Sequence, residues 1–158
     1  MATADAAVNE GAPAGVPQHA CRTRATITNV KAVPNVIRYP SGPNWRVSGR
    51  GPGQLTLSKS VAVANSVSGT VTGAHDVKAA TISAAVGFSV TRTYTTATSF
   101  SVTIPSGVTE ELRAGAVYGA KTFNWRTVEA CDTGYHKAKT GTGEAFRFLR
   151  LQYSAKRI

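Results

Sequence analysis

The sequence predicts an all-β protein, an antiparallel β-sandwich-like domain with long Ser/Thr-alternating strands and a flexible N-terminal extension. Three observations predict it. From Thr81 to Ile104 the even positions carry the bulky side chains (Ile82, Val86, Phe88, Val90, Tyr94, Phe100, Val102, Ile104), while the odd positions are nearly all small or hydroxylated. Successive side chains of a strand face opposite ways, so such a run has one oily face and one hydroxyl face. No segment keeps a 3.6-residue apolar period over three turns, so helix is expected to be scarce. Prolines and glycines gather between the alternating runs, where they end strands.

Taken in order, residues 1–20 are Ala, Gly and Pro with almost no large side chain, as in Gly11-Ala12-Pro13-Ala14-Gly15-Val16-Pro17. Such a segment cannot bury enough apolar area to offset its ordering entropy. It is expected to be flexible alone and to order in a partner's groove, through Ala7, Val8, Val16, Pro17 and His19. Residues 21–158 form a single β domain in this reading. A strand runs from Arg22 to Val33, with Ala25, Ile27 and Val30 as its apolar positions. Pro34 to Gly53 is irregular, and Trp45 within it plugs the core edge or anchors a partner at the surface.

Alternation resumes at Leu55, with Leu57, Val61, Val63, Val67 and Val71 on one face and hydroxyls or alanines on the other. Gly73-Ala74-His75-Asp76 is the expected connection to the second run, giving two long strands paired antiparallel. Pro105-Ser106-Gly107 ends the second strand. A further strand reaches through Val117 and Tyr118 to Val128, and a last one covers Ala145 to Tyr153.

The chain has 158 residues and a formal net charge of +10, from 18 basic and 8 acidic side chains. Basic residues are densest after Lys137, where Arg147 and Arg150 are taken as partner contacts. Such a balance favours anionic surfaces without choosing among them. No apolar stretch approaches the ~20 residues of a membrane helix. The polar start and the even cysteine count read as a mature secreted chain, in which Cys21 and Cys131 pair; a cytosolic chain with an unusual tail, and two buried free thiols, are the alternatives.

The chemistry of catalysis is not legible. His19, His75 and His136 are scattered, and no HExxH, CxxC, GxSxG or Gly-rich phosphate loop occurs. Glu110, Glu111, Glu129 and Asp132 are expected to be salt-bridge partners rather than an acid/base pair. The chain is therefore read as no enzyme, with no cofactor and no metal. Aromatics beside basic residues (Trp45-Arg46, Trp125-Arg126, Phe146-Arg147-Phe148) suggest stacking on a nucleic acid, yet no nucleic-acid-binding signature accompanies them, and none is expected to bind. A surface module for envelope or carbohydrate, using Trp45, Trp125 and Tyr118, is a further class.

An oily face opposite a hydroxyl face is what a membrane-inserting hairpin needs. It also serves any sheet with one side buried. Arg92 falls on the oily parity. Through Ser66-Val67-Ser68-Gly69-Thr70-Val71-Thr72, Val86-Gly87-Phe88-Ser89-Val90-Thr91 and Val102-Thr103-Ile104-Pro105-Ser106-Gly107, the region Ser66 to Val128 resembles the membrane-active module of aerolysin-type toxins. As a whole, with its Ala/Gly/Pro tail and Cys21/Cys131, the chain also resembles the small secreted β-proteins of actinobacteria, among them the adaptor of the umbrella toxin particles of Streptomyces. The second resemblance implies a non-enzymatic extracellular adaptor that links a lectin-like subunit to a large antibacterial toxin chain. The first implies a β-pore-forming module, which alone would touch a membrane. The adaptor is the function expected from the sequence, the pore-forming module its alternative.

Overall fold

The computed structural model describes residues 20–68 and 77–158. Ala7, Val8, Val16, Pro17, His19 and the Gly73–Asp76 connection lie outside the described residues. The elements are β1 (Cys21–Arg38), β2 (Arg46–Arg50), β3 (Gly53–Leu57), β4 (Ser60–Ala64), β5 (Ser66–Val67), α1 (Ala79–Val86), β6 (Thr93–Ala97), β7 (Phe100–Ile104), β8 (Thr109–Cys131) and β9 (His136–Arg157). The fold is all-β, as its period-two sequence predicts, with one short helix among the described residues. One sheet has the order β1-β8-β9-β5, with β2 added antiparallel to β8, and β3–β7 and β4–β6 form two further antiparallel ladders.

The expectation of two long strands is corrected. The first run breaks into β3, β4 and β5, and the second into α1, β6 and β7. The helix forms because Ala79, Ala80, Ala84 and Ala85 favour it, and because Ile82 and Val86 lie four apart on one helical face, both buried. A spacing of four is also even, so the same side chains satisfied the strand pattern. Both conformations bury one apolar set, and packing selects the helix.

The pairing of the two runs, however, is antiparallel as expected. Leu57 faces Phe100 in one ladder and Ser60 faces Ala97 in the other, three residues back on one strand and three forward on its partner. Lys59 and Thr98 bridge the gap, with the Thr98 amide donating to the Lys59 carbonyl at 2.7 Å. The two ladders are thus one hairpin in a single register.

The chain divides into two compact units. The first takes the described parts of Met1–Ala32 and Val67–Val90, with Lys121–Ala145. Its core is Ile82, Val86, Val90, Phe123, Trp125 and Ala145. Gly141 lets the sheet backbone pass close to Trp125, for a Cβ there would sit 2.5 Å from Cζ2. The second unit takes Val33–Ser66, Thr91–Ala120 and Phe146–Ile158. One of its clusters is Val63, Ala116, Tyr118, Ala120 and Phe146, another is Leu57, Leu112 and Ala114, and Trp45 packs on both.

Candidate functional site

The site is the interrupted hairpin. Its ladder runs from Gly53 opposite Ile104 to Ala64 opposite Thr93, and the Asn65 amide then donates to the Arg92 carbonyl at 2.8 Å. Asn65 is 5 % exposed, and its Oδ1 accepts the Phe148 amide at 2.7 Å. This polar clasp marks where the ladder stops. Arg92 beside it is exposed, its guanidinium carbon 4.8 Å from the Tyr94 ring centroid. The residue that breaks the oily parity in the sequence therefore stands at the hairpin's edge.

Beyond the clasp the two arms take different partners. On one, β5 pairs with β9, and the Ser68 amide donates to the Glu144 carbonyl at 2.8 Å. The other forms α1. Its start has no side-chain cap, and its end turns through Gly87 at φ 90°, whose amide donates to the Ser83 carbonyl at 3.0 Å. The Lys121 ammonium of β8 donates to the Val86 carbonyl at 2.8 Å, and the Val90 amide donates to Ser83 Oγ at 3.0 Å. Ile82, Val86 and Val90 then reach the core at every fourth position.

Charge along this stretch is confined to its middle. Between Ser66 and Thr91 the only ionisable side chains are His75, Asp76 and Lys78. Each flank is a run of about ten uncharged residues, and a bilayer crossing takes roughly 9–11 in a tilted strand.

The remaining expected positions fall as follows. Cys21 and Cys131 form a disulfide, S–S 2.00 Å, between the start of β1 and the end of β8. Beside it the Ala20 amide donates to Asp132 Oδ1 at 3.1 Å, and the Asp132 amide returns a bond to the Ala20 carbonyl at 3.0 Å. Glu129 lies with the two sulfurs in a cluster of ligand type, but both sulfurs are consumed by the disulfide. Arg147 and Arg150 are exposed on β9, and Trp45 is half-buried. Glu111 meets Arg46 at 3.7 Å, a salt bridge as expected of it. Trp125, Tyr118 and Phe146 are buried, so they present no ring for a sugar or base to stack on. What sequence reasoning missed is the helix and its Lys121 contact; the four-residue spacing of Ile82, Val86 and Val90 was the available signal.

No protein-family model matches the sequence, and no curated protein matches it. Among solved structures the chain is similar to parasporin-2, a Bacillus thuringiensis toxin that recognizes cancer cells, at 14% identity over 87% of this chain and 75% of that one, with a TM-score of 0.32.

Proposed function

We propose that this chain is a secreted, non-enzymatic, toxin-related β-protein whose segment Ser66–Thr91 can leave its place and extend the hairpin into a membrane. The observation that supports it is the single register of the ladder that stops at Asn65 and Arg92. Continued through the sequence, that register sets Val67 against Val90 and Val71 against Val86 on one face, with Ser68 against Ser89 on the other. The oily faces of the two arms coincide, and His75, Asp76 and Lys78 fall at the tip. Lipid would receive the apolar face and water the hydroxyls.

The test uses two neighbouring alanines. Ala84 and Ala85 are both exposed on α1, so a lysine at either is compatible with the fold. In a hairpin they face opposite ways, Ala84 with the oily residues and Ala85 with the hydroxyls. Ala84→Lys should abolish dye release from phosphatidylcholine–phosphatidylglycerol vesicles, since lysine on the lipid face costs about 2–4 kcal/mol near the midplane. Ala85→Lys should leave release intact. No release by the unaltered chain, or equal loss in both variants, rejects insertion.

A second reading, the adaptor, is favoured by the disulfide and the Ala20–Asp132 bonds, which fix the point where residues 1–19 join the β domain. A docking segment held at a defined point presents a partner with less conformational freedom to remove. The partners in this reading are other protein subunits, a lectin-like one and a large toxin chain, without nucleic acid. Arg147, Arg150 and Trp45 would supply the second surface. Tagged chain that co-purifies stoichiometric proteins from the supernatant of its source, and loses them when residues 2–20 are deleted, supports it. A chain that elutes alone from that supernatant counts against it.

A further inference from the structure

The first unit holds a concavity of about 450 Å³, within the ~300–1,000 Å³ span of small-molecule sites. The sheet builds it strand by strand: Asn29 comes from β1, Thr122 and Asn124 from β8, Thr142 and Glu144 from β9, and Ser68 follows β5. Two-residue spacing puts Thr122 with Asn124, and Thr142 with Glu144, on the face opposite Phe123, Trp125 and Ala145, which are in the core. The rim is fixed by two hydrogen bonds between Ser68 and Glu144: the Ser68 amide donates to the Glu144 carbonyl, and the Glu144 amide donates to the Ser68 side-chain Oγ at 3.1 Å. Among the described residues no hydrogen bond engages the side chains of Asn29, Thr122, Asn124 or Thr142, and no ion pair engages Glu144.

We infer that this concavity binds a neutral, hydroxyl-rich ligand, a sugar ring or similar polyol. Its amides and hydroxyls both donate and accept, and its carboxylate only accepts, which complements vicinal hydroxyls that do both. A hydrocarbon would leave those groups dry and unpaired, a net cost. An anion would face the Glu144 carboxylate with no cation among the described lining residues. Phe123 is 1 % exposed and offers no ring face, so the missing stacking surface sets the affinity in the millimolar range. The inference is independent of membrane insertion and of adaptor work.

The experiment is a nuclear magnetic resonance titration of the full chain with the methyl glycosides of glucose, galactose, mannose and N-acetylglucosamine, and separately with inorganic phosphate. At least one glycoside should shift the backbone amides of Asn29, Asn124 and Glu144 along a saturable millimolar curve, and phosphate should not. Asn124 is exposed, so Asn124→Ala should fold as the unaltered chain does. Asn124→Ala should weaken that glycoside about tenfold. Glu144→Gln keeps the shape and should weaken it as well. No saturable shift with any of the four, a response to phosphate alone, or a shift unchanged in Asn124→Ala would overturn the inference.

Discussion

Lys121 of β8 donates its ammonium to the carbonyl of Val86, the last residue of α1, at 2.8 Å. A helix of eight residues is too short to persist by its own hydrogen bonds, and its final carbonyls have no partner within it. A cation there satisfies one of them and suits the negative end of the helix dipole. Lys121→Met keeps the stem and removes the donor, and should lower stability by about 1 kcal/mol. Backbone amides of residues 82–87 should exchange faster in that variant, with Lys121→Arg intermediate. Unchanged exchange there would show that apolar packing alone holds α1.

Thr98 joins the two halves of the hairpin. It is 1 % exposed; its Oγ1 accepts the Lys59 amide at 2.7 Å and donates to the Lys59 carbonyl at 3.1 Å. Thr98→Val preserves shape but strands the Lys59 amide, at a cost of about 1–3 kcal/mol. Thr98→Ser keeps the hydroxyl and loses a methyl, worth about 0.8 kcal/mol. Urea unfolding should therefore rank the two variants with valine the less stable. The reverse order would mean that the methyl, not the hydroxyl, matters at this joint.

These two contacts mark where sequence reading succeeds and where it stops. Alternation made the strands of Leu55–Val63 and Tyr94–Ile104 legible, because burial on one face imposes a period of two. The antiparallel pairing was legible because a short connection was expected between the two runs, and a short link joins strands antiparallel. The stretch after Lys78 was not, since Ile82, Val86 and Val90 are compatible with both periods and the choice lies in contacts with Phe123 and Trp125, far along the chain. The polar concavity was equally hidden, for Asn29, Asn124 and Thr142 read as ordinary solvated positions until the sheet sets them side by side.

The disulfide between Cys21 and Cys131 spans a sequence separation of 110. In the chain-entropy account a loop of this length is stabilised by about 4–5 kcal/mol through the unfolded state. The Cys21→Ser, Cys131→Ser double variant should unfold at much lower urea concentration. Amide exchange at Ala20 and Asp132, which bond to each other beside the bridge, should quicken with it. A midpoint that does not move on reduction would mean that β1 and β8 are held by their ladder alone.

Tyr118 gives the fold an alkaline limit. Burial raises its phenol above the ordinary value, and the Arg38 guanidinium, 5.2 Å from the ring centroid, partly opposes that rise. Below a pH of about 10 the phenol is neutral in folded and unfolded chain alike, so its contribution is constant. Above it the unfolded chain releases the proton while the folded chain still holds it. The unfolded state then binds fewer protons, and stability falls as pH rises until the folded phenol ionises too. Each pH unit of that window is worth at most about 1.4 kcal/mol. Subtracting the stability profile of Tyr118→Phe from that of the unaltered chain isolates this decline from the other titrating groups. Arg38→Met removes the opposing charge, so the decline attributed to Tyr118 should extend to higher pH. A difference profile that stays flat above pH ~10 would show that the phenol ionises as readily in the fold as in water.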